Sequence, residues 1–287
     1  MALKRTTAAA TGLPRPRPRK RLGQHWLRDQ QVLRRIVAAA QVGPEDRLLE
    51  IGPGRGALTD HLLATPAAVV VAVELDRQLV AGLQQRFGAD ERFSLLQGDA
   101  LELLRQPLIR NPNKVVANIP YNITGPLLQG LVGSVAQPRQ PQFQRLVLLM
   151  QKEVADRVTA LPGSSACGAL SVRIQLLAAA RTLCIVPPAC FSPPPEVTSA
   201  VVVLTPYLPR QRRYGPEQAP LLERLLRVAY TGRRKMLRNT LGGVWSVPGL
   251  EQAARQAAVD LGQRPQDLDP DQWVALSQAL APSLPLP

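Results

Sequence analysis

Arg47-Leu48-Leu49-Glu50-Ile51-Gly52-Pro53-Gly54-Arg55-Gly56 is the stretch that decides the fold. Its first five residues are largely apolar around one acid and read as a buried strand. They run straight into glycines spaced G-x-G-x-G, and then into Ala57-Leu58-Thr59-Asp60-His61-Leu62-Leu63, whose apolar residues recur at helical spacing. Strand, glycine loop and helix in that order open a doubly wound sheet whose ligand sits at the strand ends. The glycines let backbone approach that ligand closely. The spacing differs from the G-x-G-x-x-G of dinucleotide sites with its pyrophosphate role, so a different nucleoside cofactor is implied.

The following segments supply the remaining ligand groups. Ala68-Val69-Val70-Val71-Ala72-Val73 reads as the next strand and ends in Glu74, close to the ~20-residue offset at which an acid meets ribose hydroxyls. Phe93-Ser94-Leu95-Leu96 ends at Gln97-Gly98-Asp99-Ala100, where a carboxylate can accept from an adenine amino group. S-adenosylmethionine meets these needs. Strand-end acids also cap the helix that follows, and for Asp99 alone that is the commoner role. A fourth strand, Lys114-Val115-Val116-Ala117, delivers Asn118-Ile119-Pro120-Tyr121 to the same edge. An exocyclic amino group on a base is a poor nucleophile because its lone pair is delocalised into the ring. Methylating it requires acceptors that hold its N–H bonds, and an Asn oxygen with a nearby backbone carbonyl can do that. Pro120 stiffens the turn, and Tyr121 offers a flat face to a base drawn out of its helix.

The chain resembles the ribosomal RNA adenine dimethyltransferase family, the small-subunit enzymes. The resemblance is carried, in family order, by Arg21-Leu22-Gly23-Gln24-His25-Trp26-Leu27, Glu50-Ile51-Gly52-Pro53-Gly54, Asn118-Ile119-Pro120-Tyr121-Asn122, Gln151-Lys152-Glu153, Phe191-Ser192-Pro193-Pro194-Pro195-Glu196-Val197 and Arg233-Arg234-Lys235-Met236-Leu237-Arg238-Asn239. It implies dimethylation of N6 on two adjacent adenosines in the 3′-terminal hairpin loop of small-subunit rRNA, within an immature 30S-type subunit. It also implies cofactor contacts at His25, Leu27, Gly52, Glu74, Asp99 and Asn118, with the target adenine stacked between Tyr121 and Phe191. The chain departs from the family where His25 replaces a usual Asn and Trp26 a usual Phe. It departs again at Cys167 and Ala169, where the family often has Tyr and Arg. The first departure puts an imidazole or a purely backbone contact where a side-chain amide is expected. The second weakens an RNA contact by that loop.

Charge agrees with a polyanionic partner. Lys plus Arg number 35 against 21 Asp plus Glu, a net charge of +14. The excess crowds the N-terminal arm (Arg15, Arg17, Arg19, Lys20, Arg21, Arg28) and the segment after the sheet, where Arg227, Arg233, Arg234, Lys235 and Arg238 are the candidate RNA contacts. On one helix Arg227, Arg234 and Arg238 would stand at i, i+7 and i+11 and share a face able to track phosphates. A solvated face is the usual fate of a charge run, but few acids are interleaved here.

The 287 residues suit a basic tail without regular structure at 1–19, a methyltransferase domain at 20–206 and a helical RNA-binding cap at 207–287. The expected fold is therefore α/β, a doubly wound, mostly parallel Rossmann-like methyltransferase sheet with a small C-terminal all-α domain. Neither a secretory signal core nor a run of eighteen apolar residues occurs, so a soluble, cytoplasmic monomer without a membrane partner is expected. Cys167, Cys184 and Cys190 form no C-x-x-C pair, and His25 and His61 are too scattered for a metal site, so no metal is expected. The mechanism implied is direct displacement, with Asn118 and a carbonyl of Ile119 or Pro120 steering N6. No general base is needed, because methyl transfer makes N6 cationic and its proton then leaves to water. Two other readings compete. One is a large-subunit rRNA adenine methyltransferase of the antibiotic-resistance type, against which the Phe191-to-Val197 and Arg233-to-Asn239 segments speak. The other is a ribosome-assembly checkpoint factor that works mainly by binding RNA.

Overall fold

The computed structural model describes residues 24–140 and 143–281; the expected tail at 1–19 and the basic residues of the arm up to Arg21 lie outside them. The strands are β1 (Trp26–Leu27), β2 (Arg47–Ile51), β3 (Val69–Glu74), β4 (Phe93–Gln97), β5 (Lys114–Asn118), β6 (Arg145–Gln151), β7 (Ala178–Val186), β8 (Phe191–Ser192) and β9 (Ser199–Pro206). Seven of them form one sheet in the order β4-β3-β2-β5-β6-β9-β7. The pairs from β4 to β6 are all parallel, and β9 is antiparallel to both β6 and β7. The chain leaves β2 toward β3 and β4, then returns to pair β5 on the other side of β2. A crevice therefore opens beyond the carboxyl ends of β2 and β5, the switch point at which doubly wound sheets bind ligands.

Alternation along the strands builds the layers. Leu49, Ile51, Val71 and Val73 bury on one face with the helices Thr124–Val132, Lys152–Val158 and Ala169–Leu177. Leu48, Val70 and Ala72 bury on the other, with Leu33 and Ile36 of the helix Gln30–Ala40 and Leu79 and Leu83 of Arg77–Phe87. Aspartates start four of the described helices: Asp29, Asp76, Asp99 and Asp269 accept from the backbone N–H groups of Gln31, Gln78, Leu101 and Gln272. At the opposite edge a buried cluster locks the starts of β2 and β5. Lys114 donates to Asp46 at 2.6 Å, and Asn113 donates to the other oxygen of the same carboxylate.

After β9 the described chain is helical. Leu222, Leu225 and Leu226 of the helix Ala219–Ala229 pack with Leu250, Ala253 and fully buried Trp273. This core also takes in Val135, Ala160, Cys167, Val172 and Leu176, which precede β9, so the helices share their apolar centre with the sheet domain. One sequence expectation is corrected here. The helix carrying Arg227 ends at Ala229, Tyr230–Gly232 form a short 3-10 turn, and Met236 is extended before a new helix, Leu237–Leu241. Arg227, Arg234 and Arg238 thus share no helix face. Gly232 weakens helix continuation at this point, and its carbonyl is taken by the N–H of Lys235 in a turn.

Candidate active site

The crevice is an open cleft of about 810 Å³, its mouth to solvent included. Gly52, Glu74, Asp99, Asn118, Tyr121 and His25 all line it. The strand ends deliver the first four, and the short β1 carries the arm with His25 across the mouth.

Glu74, only 6% exposed, is tied to the glycine loop: its Oε2 accepts from the N–H of Gly54 at 3.1 Å and its Oε1 from that of Asp76 at 2.9 Å. Burial pushes its carboxyl above the ordinary range, and those two donors pull it back. Asp99 lines the cleft and also caps a helix, so both roles weighed for it from the sequence are geometrically open. The glycines divide their work. Gly52, at φ +68, lines the cleft. A Cβ on Gly54, at φ +60, would stand 2.7 Å from Trp26 Cδ1, and one on Gly56 would stand 2.4 Å from the Phe87 ring. Two of the three therefore serve side-chain packing on the loop as much as ligand approach. The Arg55 guanidinium carbon lies over the Trp26 ring, 3.9 Å from its centre.

Asn118 is oriented by the arm. Its Nδ2 donates to the His25 carbonyl at 2.9 Å. A carbonyl can only accept, so the amide's NH₂ faces His25 and its oxygen faces away. The carbonyl of Pro120 accepts from Ile123 N–H at 3.2 Å. The Tyr121 hydroxyl shares a 2.5 Å hydrogen bond with Ser199 Oγ, and its ring stacks on that of His25 with centroids 5.6 Å apart.

Two expected contacts are not in the cleft. Phe191 is 1% exposed and Leu27 5%, and both belong to the core beneath the helix Gln30–Ala40. They are register partners in the β1–β8 pair. In this structure the Phe191 ring packs in that core and does not line the cleft beside Tyr121, and the Leu27 side chain packs in the same core.

Sequence reasoning passed over three groups. Gln24 donates to Asp76 at 3.1 Å, fastening the arm beside Glu74. Ser199 is wholly buried at the Tyr121 hydroxyl, with no motif of its own to announce it. Glu50, 1% exposed, accepts only the Thr59 hydroxyl, and its Oε1 has no partner. Burial, with the charges of Glu74 and Asp60, pushes its carboxyl up to about 8. An acid inside a buried strand two residues before Gly52 was the available signal.

In the cap, Arg227, Arg233, Arg234, Lys235 and Arg238 are all exposed. Arg233 is already tethered, donating to the Ser165 carbonyl and to Gln266. Among the described residues no His, Cys, Asp and Glu cluster is arranged to hold a metal, and no helix is long and apolar enough to cross a membrane.

The family model described as ribosomal RNA adenine dimethylase matches residues 16–281. The chain is 57% identical over 264 residues to the ribosomal RNA small subunit methyltransferase A of Synechococcus sp. (strain WH7803), covering 92% of this chain and 94% of that one. It is 58% identical to the protein of the same name from Parasynechococcus marenigrum (strain WH8102), covering 91% and 87%. Among solved structures, a dimethyladenosine transferase from Plasmodium falciparum superposes with a TM-score of 0.72 at 24% identity, covering 90% of this chain and 98% of that one. The 23S rRNA methyltransferase ErmE also gives 0.72 at 24%, covering 89% and 99%. The two superpose equally well, so the fold does not separate a dimethyladenosine transferase from a 23S rRNA methyltransferase.

Proposed function

The chain belongs to the ribosomal RNA adenine dimethylase family, and from that premise we propose that it uses S-adenosylmethionine to dimethylate N6 of two adjacent adenosines in the 3′-terminal hairpin loop of small-subunit rRNA. The substrate is an immature 30S-type subunit, and the enzyme works in the cytoplasm as a monomer without metal. The large-subunit alternative loses ground because the relatives at 57–58% identity carry the small-subunit name.

The observation that carries the reading is the oriented Asn118 amide at the switch point. With its NH₂ committed to His25, the oxygen is an acceptor of fixed direction for one N6 hydrogen, and the Ile119 carbonyl serves the other. Lone-pair steering of this kind is catalysis by positioning. The residues fit the proposed cofactor: Glu74, anchored by two backbone donors, has lone pairs left for ribose hydroxyls, Asp99 suits the adenine amino group and Gly52 gives backbone approach. His25 lines this cleft, whereas Leu27 does not and its side chain is buried. The bound cofactor supplies the electrophilic methyl group. We divide the chain into a methyltransferase domain at 20–206 and an RNA-binding cap at 207–287, with exposed Arg227, Arg234, Lys235 and Arg238 meeting phosphate. Incubation with labelled cofactor and unmethylated small subunits, followed by mapping, should place the label on two adjacent adenosines near the 3′ end. Label in large-subunit RNA, or subunit binding without label, would transfer the assignment to one of the competing readings.

A further inference from the structure

His25 lies where a cofactor contact was expected, yet its contacts run to the base-handling side of the cleft. Its Nδ1 is 3.0 Å from the Pro193 carbonyl, and because a carbonyl only accepts, Nδ1 carries the proton. That bond fixes the imidazole against the loop that follows Phe191. The ring then covers one face of Tyr121 at 5.6 Å and 25° between planes. Tyr121 is pinned at its far end by buried Ser199. A tyrosine held only at its hydroxyl can still swing about that point; one backed across a face cannot. Among the described residues His25 is the ring stacked on Tyr121, and both line the cleft.

We propose that His25 is a positioning residue for the substrate base, its imidazole backing Tyr121 against Ser199 so that the base meets a fixed ring from the opposite face. The role deepens the proposed methyl transfer and rests on it, since Tyr121 is a base plate only if a base enters. Stacking between rings is modest in strength, so the effect on turnover is about tenfold and not an abolition.

The test uses the full chain, unmethylated small subunits and S-adenosylmethionine, with four variants: His25→Ala, His25→Asn, His25→Phe and Ser199→Ala. His25→Ala and His25→Asn should lower the single-turnover rate at saturating cofactor about tenfold, leaving cofactor affinity by calorimetry and the thermal midpoint unchanged. His25→Phe, which keeps the stack and loses the Pro193 hydrogen bond, should recover most of the rate. Ser199→Ala should resemble His25→Ala. The inference is overturned if the His25 variants lose cofactor affinity while keeping the saturated rate, which would make His25 a cofactor ligand. It is equally overturned if His25→Asn works and His25→Phe does not. A parent chain that turns over, matched by an equally active His25→Ala, would overturn the inference alone, whereas a parent without turnover on these subunits would overturn the functional reading with it.

Discussion

The strand-end cleft and the helical cap handle charge in opposite ways. Glu74 in the cleft and Glu50 beside it are nearly sealed from water, and the hydrogen bonds that hold Glu74 come from the backbone. In the cap Arg227, Arg234, Lys235 and Arg238 stand in solvent on a helix end, a turn and a second short helix. Buried groups held by fixed dipoles give direction and respond to pH, because a sealed carboxyl changes charge at a displaced pKa. Exposed cations give affinity without direction and respond to salt. On the proposed function, the region that aims the base is separate from the one that holds the RNA, and each should be open to disturbance without the other.

The largest effect is expected at the aiming group. Asn118→Ala removes the oriented acceptor and should slow single-turnover methyl transfer about a hundred- to a thousandfold, the range seen when one preorganised transition-state partner is lost. RNA affinity, carried by the cap, should barely change. Near-normal transfer rates would mean that another group steers N6; a large loss of RNA affinity would break the separation of the two regions.

Glu74 comes next. Glu74→Ala leaves ribose hydroxyls unpaired and should weaken cofactor binding by ~1–3 kcal/mol per lost charge-assisted bond. Because Glu74 also holds the N–H groups of Gly54 and Asp76, Glu74→Gln is the companion variant, keeping one oxygen for the loop while losing the charge. Calorimetry showing undiminished binding to a folded Glu74→Ala protein would remove Glu74 from the cofactor site.

How much of this was legible in the sequence follows the same division. Glycine spacing and the apolar runs of β2 to β5 place Glu74, Asp99 and Asn118 at one edge, because strand period and parallel order are local signals. The burial of Leu27 and Phe191 was not legible because they meet in the β1–β8 pair, a contact between distant segments with only two residues on each strand. The cap was misread at Gly232. A run rich in Arg and Leu has the composition of a helix, and the break depends on one glycine and an extended Met236. Ser199 carries no local mark at all, since its importance comes from the Tyr121 hydroxyl that meets it across the sheet edge.

Glu50 tests the pH side of the comparison. Its folded carboxyl sits at about 8 against an ordinary 4.5, so the folded protein keeps a proton that the unfolded chain releases. Its contribution to stability is complete below about 4.5 and declines as pH rises to about 8, by at most ~1.4 kcal/mol per pH unit. Glu50→Gln should flatten that slope in denaturant titrations across this window. An unchanged slope would mean that the carboxyl is already ionised in the fold.

The smallest effect per residue belongs to the cap. Neutralising Arg227, Arg234 and Arg238 together should lower RNA affinity across sequences. It should also flatten the plot of log affinity against log salt by roughly 0.7 per lost contact on single-stranded RNA, or ~0.9 on duplex if the B-DNA coefficient carries over. Since the three stand on separate elements, they do not form one stripe along a single phosphate run, and each single variant should take about a third of the total. Had they lined one helix face, removing the middle one would disturb both neighbours and the losses would not add. Cofactor affinity should be untouched in the triple variant, because none of the three lines the cleft. An unchanged salt slope would make these arginines an ordinary solvated surface and move the RNA path to the N-terminal arm.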